Sequence, residues 1–146
     1  MIWTPRTTVA AIIEQNQHFL MVEEIIDGKL TLNQPAGHLE AGESLIKATI
    51  RETQEETAWL FQPEFLTGIY RWQLPGSDDT YIRFCFTGQA IEHNSDQALD
   101  SEIEQAIWLT YEQLSARKNE MRSPLVMDCL NDYLSGQRYP LTLLHN

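Results

Sequence analysis

Basic residues are scarce in this chain: ten lysines and arginines stand against 21 aspartates and glutamates, a formal net charge of -11. The acids are spread along the sequence, so the surface should repel phosphate backbones, and a nucleic-acid grip built on counterion release is not expected. Cysteine is nearly missing. Cys85 lies in a strand-like run and Cys129 in a helix-like run, without metal-ligand spacing, and both read as small core residues in a reducing compartment. The four histidines are scattered and lack metal-pair spacing. No apolar run approaches the ~20 residues that span a bilayer. In "MIWTPRTTVAAIIEQNQ" Glu14 interrupts the best leader candidate, so the sequence predicts no signal peptide, no membrane partner and a cytoplasmic location.

What remains is ordinary globular material, 42% apolar and 21% charged over 146 residues, enough for one good core. A single domain over residues 1–146 is expected. "TTVAAIIEQNQHFLMVEEI" reads as a hairpin turning at Glu14 to Gln17, and "LTLNQPAGHLE" as a short strand ended by Pro35 and Gly37. Between Ser44 and Thr57 there is no glycine or proline, and Ile46, Ile50, Thr53 and Thr57 recur at helical spacing. A helix capped by Ser44 follows. "EFLTGIYRWQL" and "TYIRFCFTGQAI", split by "PGSDD", predict a second hairpin. "QAIWLT" gives a further strand, "YEQLSAR" a short helix and "SPLVMDCLNDYLS" a longer one, with Pro124 near its first turn and Gly136 after its end. The order of elements predicts an α/β (α+β) fold, a mixed sheet between helices in an α-β-α arrangement.

On the first helix Glu52, Glu55 and Glu56 fall within an arc of about 100°, and the apolar stripe through Ile46 and Ile50 lies roughly 120° away. Like charges at that spacing repel, and crowding raises their pKa values unless a cation cancels the field. Carboxylate oxygens suit Mg²⁺ or Mn²⁺, which commonly bridge carboxylates to substrate phosphates. An acidic helix face is more often only solvated surface. The flanking residues shift the balance: Gly37, five residues, Glu43, seven residues, Arg51-Glu52, two residues, Glu55-Glu56, then Trp59.

This spacing resembles the Nudix hydrolase family, whose box GX5EX7REUXEEXGU maps onto residues 37–59. Two positions depart: Thr53 stands for an apolar residue, its hydroxyl free to bond the carbonyl four residues back, and Ala58 stands for glycine, which suggests a helix end without a left-handed residue. "NQPAGHLE", "RSPLV" and "SGQRYPL" are similar to the NudJ branch of that family, bacterial phosphatases acting on nucleoside tri- and diphosphates and on thiamine-related pyrophosphates.

The resemblance implies Glu52 and Glu56 as principal metal ligands, Glu55 as a further one, and the carbonyl of Ala36 as another. Glu43 and Arg51 would pair, tying the loop to the helix, with Arg51 also orienting Glu55. A fourth acid ahead of a Trp-containing strand would be the general base: Glu102, with Glu104 the alternative. Trp72, Tyr81 and Phe84 could stack on a base or pyrimidine ring, and Arg83, or else Arg71, could reach phosphate; about half of a strand's aromatics face a core. The expected activity is Mg²⁺-dependent phosphate removal from nucleoside tri- and diphosphates and from thiamine pyrophosphate or its hydroxymethylpyrimidine precursor, by a monomer. The alternatives are an ADP-ribose or dinucleoside polyphosphate hydrolase, for which Pro75 is suggestive, and a non-catalytic nucleotide-binding module, which the retained acids disfavour.

Overall fold

Strand β1 (Arg6–Gln15) is buried on both faces: Val9, Ala11 and Ile13 enter one apolar cluster, Ala10 and Ile12 another. Side chains alternate along a strand, so such a strand needs cover on both sides of its sheet. The computed structural model describes residues 2–146 and supplies that cover with helices. Helix α1 (Leu45–Thr57) closes the first cluster through Ala48. Helices α2 (Tyr111–Ala116) and α3 (Leu125–Leu134) close the second through Leu114, Val126, Cys129 and Leu130. The expected sheet between helices is thus what the chain forms. Cys85 and Cys129 are both buried and unpaired in the second cluster.

The remaining strands are β2 (His18–Ile26), β3 (Lys29–Asn33), β4 (Ala36–His38), β5 (Trp59–Gln73), β6 (Thr80–His93), β7 (Ile103–Thr110) and β8 (Tyr139–Pro140). Their order is β3-β2-β1-β6-β5-β8, with β4 also pairing β1 and β7 pairing β2. The β1–β6 pair is parallel, from Arg6 opposite Tyr81 to Ile13 opposite Gly88, and the other strand pairs are antiparallel. Both predicted hairpins form. The first turns on Asn16 and Gln17, each with positive φ (50° and 64°), as a two-residue turn between twisted strands demands.

Three local expectations are overturned. The stretch "LTLNQPAGHLE" is two strands, because Pro35 has no N–H to continue a ladder and the chain crosses to pair Ala36–His38 with Thr8–Ala10 of β1. Ala58 is left-handed after all (φ 62°, ψ 14°), its N–H donating to the Gln54 carbonyl at 2.9 Å. The chain passes directly from α1 into β5, and only this conformation turns it there, at a cost of about 1 kcal/mol for a residue with a Cβ. The Thr53 hydroxyl is buried without a hydrogen-bond partner; Thr49 and Thr57 make the helical back-bonds instead, to Leu45 and Thr53 carbonyls at 3.0 and 2.6 Å. The deeply buried face of α1 is Ala48, Thr49, Thr53, Glu56 and Thr57, while Ile46 and Ile50 are only half-buried.

Candidate active site

The Ser44 hydroxyl accepts from the Lys47 N–H at 3.1 Å and starts α1 as expected. That phase turns Glu52 and Glu55 toward a cleft of about 960 Å³ and drives Glu56 down between the helix and β4. All three carboxylates line that cleft, Glu56 as the most buried of them. Glu56 is 7% exposed, and its Oε1 accepts from the Ala36 N–H at 2.9 Å. Burial pushes its carboxyl up to about 9, against the pull of that N–H and with the help of nearby Glu52. Burial also lifts Glu52 to about 7, partly opposed by Arg51. Gly37 leaves room for this arrangement: a Cβ there would lie 2.1 Å from the Glu52 carboxyl carbon.

Arg51 organises the face. Its Nε and Nη2 donate to the two Glu43 oxygens at 3.0 and 2.7 Å, Nη1 to Glu52 at 2.9 Å and to Glu55 at 3.2 Å, and Nη2 to the His38 carbonyl at 3.1 Å. The Arg51 bonds hold the Glu43 carboxyl below its ordinary range. The loop-to-helix pairing and the hold on Glu55 are those the sequence suggested.

Asp100, absent from the expected set, joins the acids: one oxygen each from Glu52, Glu55 and Asp100 lies within 4.8 Å of the others. Its N–H donates to the Glu55 carbonyl at 3.0 Å, which ties the loop before β7 to α1, and burial raises its carboxyl. The signal was present, since Asp100 stands two residues ahead of Glu102 in the same acidic loop. Glu102 lines the cleft and accepts from the Ser101 hydroxyl at 3.0 Å, whereas Glu104 is exposed outside it. Glu24 on β2 also lines the cleft, its carboxyl raised by burial. Hard, crowded oxygens of this kind, on carboxyls that burial raises at Glu24, Glu52, Glu56 and Asp100, fit a divalent cation.

The cleft is also lined by Trp72 and Tyr81, directly paired across β5 and β6 with ring centroids 5.8 Å apart. Phe84 does not belong there: alternation on β6 turns it to the α1 side, where it packs on the first apolar cluster. Arg83 reaches the cleft but is 5% exposed, with Nη1 and Nη2 donating to Gln34 at 3.1 Å and Asn33 at 2.8 Å. Arg71 and Pro75 are exposed and do not line the cleft.

The NUDIX domain family matches residues 4–129. Phosphatase NudJ of Escherichia coli strain K12 is 39% identical over 143 residues, covering 98% of this chain and 92% of that protein, and phosphatase NudJ of Shigella flexneri matches to the same extent. Among solved structures, a NUDIX hydrolase from Nitrosomonas europaea superposes with a TM-score of 0.95 at 49% identity, covering 98% of this chain and 97% of that one. A MutT protein from Methanosarcina mazei shares the fold, with a TM-score of 0.73 at 19% identity.

Proposed function

From its membership of the Nudix family, hydrolases of phosphoric anhydride bonds, we propose that this chain is a Mg²⁺-dependent phosphatase of nucleoside tri- and diphosphates, with Mn²⁺ able to substitute. Thiamine pyrophosphate or its hydroxymethylpyrimidine precursor would be a related substrate. The observation that carries the reading is the convergence of Glu52, Glu55 and Asp100 oxygens in a cleft that Trp72 and Tyr81 also line. The near full-length likeness to proteins named phosphatase favours removal of phosphate.

Glu52, Glu55, Glu56, Asp100 and the Ala36 carbonyl would hold the cation, which when bound supplies charge neutralisation at the phosphates and an acidified water. The chain's own residues do the rest. Arg51 holds Glu52 and Glu55 at fixed angles, and Glu43 fixes Arg51 in turn. Glu102, at the cleft, takes the proton from the attacking water. Trp72 and Tyr81, their rings tilted 31° to one another, offer aromatic surface to the base or pyrimidine ring. A loosely held base and a firmly held phosphate chain would leave the terminal phosphorus open to attack.

Phosphorus NMR of ATP hydrolysis tests this. ADP and orthophosphate should appear first, and AMP with pyrophosphate as the first products would refute the phosphatase reading.

A further inference from the structure

Four basic residues line the cleft, Lys29, Arg51, Arg83 and Arg122. A polyphosphate that approaches the acidic helix must find positive charge on the other side, and two of the four are already committed. Arg51 spends its donors on Glu43, Glu52, Glu55 and the His38 carbonyl, and Arg83 is buried against Asn33 and Gln34. The side chains of Lys29 and Arg122 have no hydrogen bond or ion pair among the described residues.

Arg122 is exposed, yet its backbone is fixed. Its N–H donates to the Leu32 carbonyl at 2.8 Å, and the preceding Met121 bridges the fully buried Leu32 on β3. On the other side, the Ser123 hydroxyl accepts from the Leu125 N–H at 3.2 Å as α3 begins. The segment "RSPLV" thus pins an arginine to the cleft rim with no hydrogen bond on its guanidinium among the described residues; burial raises the carboxyl of Glu24 in the same cleft, and the Arg122 charge partly draws it back down. Lys29 enters the same cleft from the start of β3.

We propose that Arg122, assisted by Lys29, is the substrate-contacting cation that grips the phosphate chain from the β3 side of the cleft. This rests on the reading of the cleft as a phosphoanhydride site and replaces Arg83 in the role the sequence suggested. A guanidinium can fork onto two phosphate oxygens, and one at a fixed rim position without a hydrogen bond among the described residues breaks none in doing so. Lys29 adds a point charge without that geometry. Arg83 instead braces Asn33 and Gln34, and so the β3–β4 connection.

The test is calorimetric binding of a β,γ-methylene nucleoside triphosphate, with Mg²⁺, to the full chain and to its Arg122→Gln and Arg122→Lys variants. Arg122→Gln should weaken binding about tenfold and Arg122→Lys by less, since the charge returns without the fork. Affinity for the corresponding nucleoside monophosphate should change by less than about twofold in Arg122→Gln, as should thermal stability hardly at all. Unchanged triphosphate affinity in Arg122→Gln, an equal loss for mono- and triphosphate, or no analogue binding by the unaltered protein would each overturn the assignment. Binding of the analogue without turnover of ATP would unseat the hydrolytic reading alone and leave the Arg122 comparison to decide its own question.

Discussion

Glu56 and Glu55 are neighbours that line one cleft with different burial, Glu56 buried against β4 and Glu55 half-exposed. Burial holds the Glu56 carboxyl near 9 and the Glu52 carboxyl near 7, above the ordinary 4.5. Between those limits the folded chain binds more protons than the unfolded one, so stability without metal should fall as pH rises from about 5 through 9. Thermal unfolding in chelator, followed across that range, should show the decline, and Glu56→Gln should flatten it and gain on the order of 1 kcal/mol or more at pH 8. With Mg²⁺ present the same variant should lose most of its activity. Full turnover at saturating Mg²⁺ would remove Glu56 from the metal site. For the base, Glu102→Gln should lower kcat far more than Glu104→Gln, with a modest change in KM, because a base acts chiefly in the transition state. Steady-state kinetics that gave the reverse order would move the role away from the cleft.

At the scale of elements, the seat of β4 against α1 decides whether the acids can work together. Gly37 is the contact point, and an added Cβ would meet the end of the Glu52 side chain and no backbone. A flexible carboxylate can swing aside, so Gly37→Ala should cost little stability. It cannot swing aside and stay beside Glu55 and Asp100. Activity is expected to drop on the order of 10²-fold, the scale of an ångström-sized misplacement. Urea unfolding and kinetics of the one variant read both quantities, and an unimpaired enzyme would show that Glu52 need not hold its observed position.

Over the whole molecule, a net charge of -11 makes identical copies repel one another, most strongly at low salt. The chain should therefore be a monomer by light scattering at low and moderate ionic strength. A stable dimer under those conditions would refute this and would require an interface apolar enough to outweigh the charge.

The resemblance of residues 37–59 to the Nudix box implied the Glu43–Arg51 pairing, and the sequence alone determined what local spacing controls: the phase of α1, the Ser44 cap and both hairpins. Each depends on residues a few turns apart or on alternation along one strand, so periodicity carries it. Tertiary structure decided the rest. Asp100 reaches Glu55 across 45 positions through a loop hydrogen bond that no period encodes. Alternation puts Tyr81 and Phe84 on opposite faces of β6, but which of those faces the cleft takes depends on where α1 and the first apolar cluster pack. Whether an arginine can turn to a ligand depends on what lies beside it: Asn33 and Gln34 occupy Arg83, while among the described residues Arg122 is hydrogen-bonded through its backbone and not its side chain. Ala58 is the same lesson in one residue, since the direct passage from helix to strand imposed a left-handed backbone that its side chain does not favour.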